Sequence, residues 1–320
     1  MSREKTVEKP TCLIVGGPTG SGKTATAICL AQQLGGEIIN CDSMQIYRGL
    51  DIGTAKPTAA EQAAIPHHLI DILDPGQSFS VAEYVRLAEQ TAIAIAGRGK
   101  LPIFCGGTGQ YISALLQGYT YRELPYDPKL RAKLWTAAKD PKQYAAMLAE
   151  LEEADPDHFA TVPPTNQKRI IRAIEIQRLT GKTVTALNRE SRRQKPTLSC
   201  RLFVISHERQ VLYERINQRV LQMLDQGLLI ETEALLKLNL PATATCLQAI
   251  GYKEIFPFLR GERSLQEVTA DLQQASRRYA KRQLTWFRNQ TGGDWILDQG
   301  PEQAAATIIS LLAEPSCYLA

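Results

Sequence analysis

Short apolar runs alternate with amphipathic patterns through the first part of the chain. The apolar runs predict strands at Cys12–Gly16, Glu37–Cys41 and Leu101–Cys105. Elsewhere apolar positions recur every three or four residues, which predicts helices at Lys23–Leu34, Val81–Ala96 and Gln110–Leu116. Because strand and helix alternate, we expect an α/β fold, with a parallel sheet, right-handed crossovers and flanking helices.

The alternation stops near residue 118, where Gly, Tyr and Pro residues interrupt the pattern as far as Pro128. Residues 128–195 show no strand pattern, and they predict helices at Pro128–Ala138, Gln143–Glu153 and Gln167–Leu179. A buried strand is predicted at Arg201–Ser206, and the chain is mostly helical from His207 onward. We therefore predict a core of residues 10–118 and 199–315, with an all-helical domain inserted at residues 119–198.

Composition narrows the class of protein. The chain has 320 residues, of which 44% are hydrophobic, enough for one large or two modest domains. No apolar run approaches the ~20 residues of a membrane span, and the first residues lack an apolar signal core. The seven cysteines include no C-x-x-C pair, which argues against disulfides and structural zinc. We expect a protein of the reducing cytoplasm that has no membrane partner.

Positive charge is concentrated in one segment. Residues 166–201 contain ten Lys or Arg and two Glu, a net charge of +8, although the whole chain carries only +4. Such a concentration suggests a polyanionic partner such as nucleic acid. The alternative is a solvated face of a helical hairpin.

A glycine-rich loop joins the first predicted strand to the first predicted helix. Its glycines let consecutive backbone N–H groups turn toward one anion, its Lys adds a positive charge, and its last hydroxyl can ligate Mg²⁺. The loop makes the predicted fold P-loop NTPase-like and indicates a substrate with a diphosphate or longer phosphate chain. The predicted phosphate ligands are Gly17, Pro18, Thr19, Gly20, Ser21, Gly22, Lys23 and Thr24, with Thr24 also the metal ligand.

Two more features fall at the same edge of the predicted sheet. Asp42 ends the second strand, and the third strand runs into Gly106-Gly-Thr-Gly before another helix. Ligands of parallel sheets bind at this edge, so we expect Asp42 near the diphosphate, as a general base or an outer-sphere Mg²⁺ ligand. The alternative is a helix cap. Thr108 and the second helix N-terminus could hold the same phosphate chain, or merely start a helix.

An expected acidic residue is absent from the sequence. ATPases and GTPases usually place a Mg²⁺-organising Asp at the end of an apolar strand. Here the third strand ends in Cys105-Gly106, and the strand at Arg201–Ser206 ends without an acid. The loop is therefore suited to a diphosphate that leaves, rather than to ATP as a phosphoryl donor.

Two pairs of basic residues have less specific patterns. His67 and His68 are adjacent and lack a third metal ligand at a suitable spacing, so we interpret them as structural or substrate-orienting. Arg215 and Arg219 lie four residues apart on a predicted helix and could reach the phosphates. The alternative for this pair is a pair of surface arginines.

Residues 277–288 combine five positive charges with three aromatic side chains and contain no acid. Lys and Arg bind phosphates, and aromatic faces stack on unpaired bases, so this segment favours contact with RNA. The alternative is an amphipathic helix with its aromatic residues in the core.

These motifs resemble those of the bacterial tRNA dimethylallyltransferases, also called tRNA isopentenyltransferases. The resemblance spans residues 10–290 and is most specific in the string that begins at Asp42. Besides the glycine loop, it rests on Asp42-Ser-Met-Gln-Ile-Tyr-Arg-Gly-Leu-Asp-Ile-Gly-Thr-Ala-Lys-Pro, His67-His-Leu-Ile-Asp, Gly106-Gly-Thr-Gly-Gln-Tyr, Arg169-Ile-Ile-Arg-Ala-Ile-Glu, Leu247-Gln-Ala-Ile-Gly-Tyr-Lys-Glu and Ala280-Lys-Arg-Gln-Leu-Thr-Trp-Phe-Arg.

The resemblance implies transfer of a dimethylallyl group from dimethylallyl diphosphate to N6 of the adenine 3′ of the anticodon in tRNA. It implies Asp42 as base, Thr108 and Arg219 on the diphosphate, Mg²⁺ as cofactor, a monomer, and a helical insertion that clasps the anticodon stem-loop. The implied tRNA contacts are Asp42, Ser43, Met44, Gln45, Thr108, Asn166, Gln167, Lys168, Arg169, Ile170, Leu247, Gln248, Ala249, Ile250, Gly251, Tyr252, Ala280, Lys281, Arg282, Gln283, Leu284, Thr285, Trp286 and Phe287.

The chemistry of the residues agrees with this activity. The N6 amine of adenine is a weak nucleophile, so it needs an electrophile with carbocation character and a base for its proton. Three alternatives remain open from the sequence. They are a prenyltransferase for free adenine nucleotides, an ATP-dependent small-molecule kinase, and a nucleotide-switched RNA-binding protein without catalysis.

Overall fold

The computed structural model describes residues 9–118, 125, 127–191, 196–289, 292–297 and 299–314. Its strands are β1 (Thr11–Gly16), β2 (Gly36–Asn40), β3 (His67–His68), β4 (Leu101–Gly106), β5 (Ser199–Ser206) and β6 (Gly293–Leu297). In the described part of the chain they form one six-stranded sheet in the order β3-β2-β4-β1-β5-β6. Every pairing in it is parallel, which confirms the predicted parallel sheet.

Helices follow most of the strands. They are α1 (Lys23–Leu34), α2 (Ala59–Ala64), α3 (Val81–Gly97), α4 (Gly109–Gln117), α5 (Pro128–Ala137), α6 (Pro141–Ala154), α7 (Pro156–Phe159), α8 (Gln167–Thr180), α9 (Val184–Ser191), α10 (Arg209–Asp225), α11 (Leu228–Lys237), α12 (Phe256–Leu259), α13 (Leu265–Arg288) and α14 (Pro301–Ala313). A 3₁₀ turn covers Thr245–Gln248.

The chain divides into two compact units. The first consists of residues 1–116 and 197–320 and contains the sheet, and the second is Gln117–Pro196. The described residues of the second unit form helices α5–α9 and no strand. Aspartates cap α5 and α6, each followed by a Pro at the first helical position. Residues 119–124 and 126 of the predicted break, and residues 192–195 of the basic segment, lie outside the described residues.

The second unit has a hydrophobic core of its own. It is formed mainly by α5, α6 and α8 and includes Leu134, Met147, Leu151, Ile170 and Ile174. A separate core of this kind is what a domain requires in order to be compact.

Both faces of the sheet in the first unit are buried. Cys12 and Ile14 of β1 face a core that includes residues of α3, α4 and the end of α13. Leu13 and Val15 face the opposite core, which includes residues of α1 and α14. Strands covered on both faces read as continuous apolar runs, which explains why β1, β2, β4 and β5 were predictable.

A third core joins the segment after β2 to the C-terminal helices. Ile46 and Tyr47 pack there with Leu228 of α11, Tyr252 and Leu272 of α13. This packing fixes the segment 42–56 beside the carboxyl edge of the sheet, where the candidate site lies.

The edge strands were missed by sequence reasoning. The prediction that the chain is mostly helical after His207 omitted β6, in which Ile296 is buried but Trp295 and Leu297 are exposed. β3 has only two residues. Neither strand is long or apolar enough to produce a recognisable pattern.

None of the helices in the described ranges combines the length and the apolar character needed to cross a membrane.

Candidate active site

The glycine loop turns sharply between β1 and α1. Gly20 and Gly22 have φ values of +81° and +87°, a region that L-residues with side chains rarely adopt. Gly22 is the N-cap of α1, and no described side chain caps this helix. The N–H groups of the first helical turn are therefore available to an anion, as the sequence predicted.

The side chain of Lys23 bonds back to the backbone of this loop. Its Nζ donates a hydrogen bond to the Pro18 carbonyl at 3.3 Å. Burial lowers the pKa of Lys23 below its ordinary value, whereas the nearby Cys105 and Asp42 act in the opposite direction. The buried ammonium of Lys23 lies next to the backbone N–H groups at the start of α1. This combination of positive charge and N–H donors suits a diphosphate.

The two arginines of α10 both reach the loop, but in different ways. Arg219 lines the cavity described below, and burial together with Arg215 lowers the pKa of its guanidinium. Arg215 donates from Nε to the carbonyl oxygen of Gly20 at 3.0 Å. Arg219 is thus positioned for an anionic ligand, while Arg215 supports the loop.

Asp42 follows directly after the end of β2. Its Oδ1 accepts a hydrogen bond from the backbone N–H of Met44 at 2.9 Å. The residues that follow are turns, and the next helix begins only at Ala59. The alternative role of Asp42 as a helix cap is therefore excluded.

The Asn40 side chain holds the backbone of Asp42 in place through hydrogen bonds. It is 2% exposed. Its Oδ1 accepts from the Asp42 N–H at 3.0 Å, and its Nδ2 donates to the Asp42 and Leu69 carbonyls at 2.9 and 3.0 Å. The hydroxyl of Tyr84 donates to the Asn40 carbonyl at 3.0 Å. Sequence reasoning missed Asn40, because an Asn at a strand end gives no signal until its partners are known.

The glycine loop and Asp42 line one cavity of about 370 Å³. Its polar wall includes Thr19, Lys23 and Thr24 of the loop, together with Asp42 and Arg219. Apolar side chains complete it: Met44, Ile216, Val220, Met223, Ile250 and Leu272. A cavity with convergent charges and an apolar wall is typical of a small-molecule site.

Thr108 lies beside this cavity rather than in its wall. Its Oγ1 accepts a hydrogen bond from the Ser43 N–H at 3.0 Å, and its own N–H donates to the Cys41 carbonyl at 3.2 Å. Ser43 itself lines the cavity. In this structure Thr108 therefore positions the segment around Asp42, and its predicted contact with the diphosphate stays a prediction.

The rest of the segment after β2 is fixed by a carboxylate that sequence reasoning missed. Glu231 of α11 accepts hydrogen bonds at 2.9 Å from the consecutive N–H groups of Asp51, Ile52 and Gly53. The Tyr252 hydroxyl donates to the same carboxylate at 2.7 Å. Glu231 is 180 residues away from Asp51 in the sequence. Local sequence patterns cannot predict a contact of this range.

The residues predicted to contact tRNA fall into accessible and buried sets. Gln45, Gln248, Ala249, Ile250 and Gly251 line the cavity with Ser43 and Met44. On α13, Lys281, Arg282 and Thr285 are exposed, and Leu284 and Trp286 are half-buried. The side chains of Ile170, Tyr252, Ala280 and Phe287 are buried, so they offer no side-chain surface to a macromolecule here, whereas Gln283 is largely buried but lines the cavity.

The predicted contacts at 166–170 lie in the second unit. Asn166 caps α8, with its side chain accepting from the Arg169 N–H at 3.3 Å. Lys168 and Arg169 are exposed, and Gln167 is half-buried. These residues form a basic start to α8.

His67 and His68 have structural partners. His68 Nε2 lies 2.7 Å from Glu37 Oε2, which also accepts from Arg98 at 2.7 Å. His67 Nδ1 lies 2.7 Å from the Ile65 carbonyl. These contacts agree with a structural role at the edge of the sheet.

The donor atoms around Thr24 fit Mg²⁺ that arrives with a diphosphate. Mg²⁺ keeps several waters and takes one or two carboxylate or hydroxyl ligands plus substrate phosphates. Thr24 and Asp42 line the same cavity. Among the described residues, no group of three or more His, Cys, Asp or Glu could hold a metal ion by itself.

The sequence of this chain is similar to those of known proteins. The sequence profile described as IPP transferase matches residues 45–290, and the one described as isopentenyl transferase matches residues 10–71. The chain is 46% identical over 289 residues to a tRNA dimethylallyltransferase of Bacillus licheniformis, with 90% of this chain and 91% of that relative covered. The Bacillus subtilis protein of the same name is 46% identical over 290 residues, covering 90% and 91%.

Solved structures resemble this one over most of its length. The full-length tRNA isopentenylpyrophosphate transferase of Bacillus halodurans matches with a TM-score of 0.69 and 39% identity, covering 96% of each chain. A eukaryotic dimethylallyltransferase described as acting on tRNA matches with a TM-score of 0.72 and 29% identity, covering 87% of this chain and 70% of that one. The family resemblance noted in the sequence is thereby confirmed, and the chain belongs to the IPP transferase family.

Proposed function

We propose that this protein transfers a dimethylallyl group from dimethylallyl diphosphate to N6 of the adenine 3′ of the anticodon in tRNA, and releases diphosphate. The supporting observation is that the glycine loop and Asp42 line a single cavity of about 370 Å³. Relatives at 46% identity carry the name of this activity.

The proposed reaction exchanges one bond to carbon for another. The bond between C1 of the dimethylallyl group and the diphosphate oxygen breaks, and its electron pair leaves with the diphosphate. The lone pair of N6 forms the new bond to C1. The proton that N6 loses is taken up by the Asp42 carboxylate, and general base catalysis of this type is worth about 10²–10⁴ in rate.

Positive groups of the loop stabilise the charge that grows on the leaving diphosphate. The amide groups at the start of α1 and Lys23 are held by the fold before the substrate arrives, so they need little reorganisation during the reaction. Arg219 lines the same cavity and adds a further positive charge. When bound through Thr24 and the phosphate oxygens, Mg²⁺ would add Lewis-acid neutralisation of the same charge.

The apolar wall suits the prenyl chain. Ile216 and Val220 of α10, with Met223 and Leu272, line the cavity with Lys23 and Arg219. A five-carbon chain packed on these side chains is removed from water, which protects an allylic centre with carbocation character from hydrolysis.

Exposed basic side chains supply a surface for the tRNA backbone. Arg278, Lys281, Arg282 and Thr285 surround a shallow depression on α13, and Arg282 also lines the cavity. The basic start of α8 and the segment 166–201 would bind further phosphates of the anticodon stem-loop. Because residues of a single chain line the cavity, we expect a monomer. The absence of a C-x-x-C pair from the sequence leads us to expect a cytoplasmic protein.

Mass spectrometry of tRNA nucleosides tests this activity. The protein is incubated with dimethylallyl diphosphate, Mg²⁺ and unmodified tRNA, with AMP in place of tRNA in a parallel reaction and ATP in place of the prenyl donor in a third. We expect N6-dimethylallyladenosine in the tRNA alone. Modification of AMP alone, or phosphate transfer from ATP, would refute the assignment.

A further inference from the structure

One buried side chain of α13 joins the two glycine loops. Gln283 Oε1 accepts a hydrogen bond from the Thr19 N–H at 2.8 Å, and its Nε2 donates to the Gly107 carbonyl at 2.9 Å. Thr19 belongs to the loop that is proposed to bind the diphosphate, and Gly107 belongs to the loop that follows β4. Gln283 is 6% exposed and lines the candidate cavity together with Thr19, and its bond to the Gly107 carbonyl is buried.

The chemistry of this contact needs an amide. One group must accept from an N–H, while another on the same side chain donates to a carbonyl. An apolar side chain would leave the buried Gly107 carbonyl without its donor and the Thr19 N–H without its side-chain acceptor, which is costly. A carboxylate would keep the bond to Thr19 but would face the Gly107 carbonyl without a proton to donate.

Neighbouring glycines support the same close approach of α13. A Cβ at Gly107 would overlap Gln283 Nε2, and one at Gly109 would lie 2.6 Å from the Trp286 ring. A Cβ at Gly16 would lie 2.7 Å from Phe287 Cε1. The inward face of α13 is therefore seated directly on both loops.

The same stretch of helix has an outward face with a different character. Lys281, Arg282 and Thr285 are exposed, whereas Gln283 has both of its polar groups engaged inside. The family resemblance placed Gln283 among the tRNA contacts together with these neighbours. In the structure Gln283 is buried whereas they are exposed, although Arg282 lines the cavity with it.

We infer that Gln283 is a positioning residue for the diphosphate and not a tRNA contact. It holds the Thr19 backbone, and with it the curvature of the glycine loop, so that the loop amides and Lys23 meet the diphosphate of the prenyl donor. This inference rests on the proposed function for the identity of the donor. It predicts that substitution of Gln283 changes the binding of dimethylallyl diphosphate and not the binding of tRNA.

The test compares Gln283→Met with Gln273→Met in the full-length protein. Gln273 lies on the same helix and donates to the Asn217 carbonyl at 3.3 Å, away from both loops, so it controls for the loss of a half-buried, hydrogen-bonded amide on α13. Binding of dimethylallyl diphosphate and of unmodified tRNA is measured separately for each variant, with melting temperatures and steady-state KM and kcat values for both substrates.

We expect Gln283→Met to weaken dimethylallyl diphosphate binding and to reduce kcat/KM for it by about tenfold or more. Its affinity for tRNA should stay within about twofold of wild type, since about 0.4 kcal/mol corresponds to that ratio. Gln273→Met should leave both affinities unchanged.

Weaker tRNA binding with normal donor affinity would overturn the inference and restore Gln283 as a tRNA contact. Equal losses of both affinities, tracking a lowered melting temperature, would overturn it as well. The donor-binding measurement does not depend on catalysis. If wild type binds the donor but fails to modify tRNA, the proposed function fails, while the effect of Gln283 on donor affinity remains measurable.

Discussion

The two glycine loops look alike in the sequence, but their glycines serve different physical needs. In the loop 17–24, Gly17, Gly20 and Gly22 all adopt positive φ values, and at Gly17 a Cβ would also lie 2.6 Å from the Ile205 carbonyl oxygen. In the loop 106–109 the described glycines have no positive φ, yet each faces an atom that leaves no room for a Cβ. At Gly106, for example, a Cβ would overlap the Cys41 carbonyl.

The difference shows what each loop contributes. The first loop needs glycine for a backbone shape that turns amide groups toward an anion. The second needs glycine for space, because the backbone next to Asp42 and the inward face of α13 both pack against it. The first loop is therefore the proposed diphosphate cradle, and the second positions the base and the helix.

The largest expected effect comes from the carboxylate between the two loops. Asp42→Asn removes the base but keeps an acceptor for the Met44 N–H. We expect kcat to fall by about 10²–10⁴, with the affinities for tRNA and dimethylallyl diphosphate unchanged, as measured by single-turnover rates and equilibrium binding. Asp74→Asn, which changes an exposed Asp paired with Arg48, is the matched control. A fall in kcat of less than about tenfold would argue against general base catalysis by Asp42.

Gly106→Ala tests the claim that the second loop needs space. The new methyl group must displace the Cys41 backbone, so we expect a loss of about 1–3 kcal/mol in the free energy of unfolding, together with a lower kcat. Gly97→Ala introduces the same methyl group where no atom lies within 4 Å and should be neutral. Denaturant unfolding of both variants gives the comparison, and equal stability would show that the second loop tolerates a side chain.

Gly20→Ala tests the claim that the first loop needs conformation. An L-residue at φ +81° costs about 1–2 kcal/mol, and its Cβ would also lie 3.0 Å from Ile216 Cγ1. The distorted loop should also bind dimethylallyl diphosphate less tightly. Gly99→Ala carries similar strain at φ +71° with open space around it, and it should lose stability alone. The proposal for the loop fails if donor affinity is the same in both variants.

A smaller effect should appear in the pH dependence of donor binding. Burial lowers the pKa of Lys23 from 10.5, so in the free protein its ammonium loses its proton at a lower pH than an exposed lysine does. The affinity for dimethylallyl diphosphate should therefore fall as the pH rises from neutral toward the lowered pKa of Lys23. Lys23→Arg stays protonated, so its binding should lack this decline. A matching decline in both proteins would assign it to another group.

Much of the fold could be predicted because its central strands are buried on both faces and its glycine loop has a distinctive spacing. The same logic placed Asp42 at the loop, since the carboxyl ends of parallel strands meet at one edge. What could not be predicted depends on long-range partners. The two bonds of Gln283 connect residues 264 and 176 positions away, and β6 has a single well-buried side chain.

The basic stretch at the end of α13 shows most clearly what the sequence alone could not predict. Its charges and aromatic residues favoured RNA contact as a whole, with core packing as the alternative. The structure places exposed charges and buried side chains on different faces of one helix, because positions three and four apart share a face. Core packing is therefore confirmed for one face, and RNA contact of the other stays a prediction. Lys281 and Arg282 point outward, while Gln283 and Phe287 are buried.

The most direct measurement is a crystal structure with an anticodon stem-loop and a non-reactive thio analogue of dimethylallyl diphosphate. Our account predicts the diphosphate on Lys23 and on the backbone N–H groups at the start of α1, and the adenine N6 within about 3 Å of an Asp42 carboxylate oxygen. An adenine seated elsewhere, or a diphosphate bound away from this loop, would contradict it.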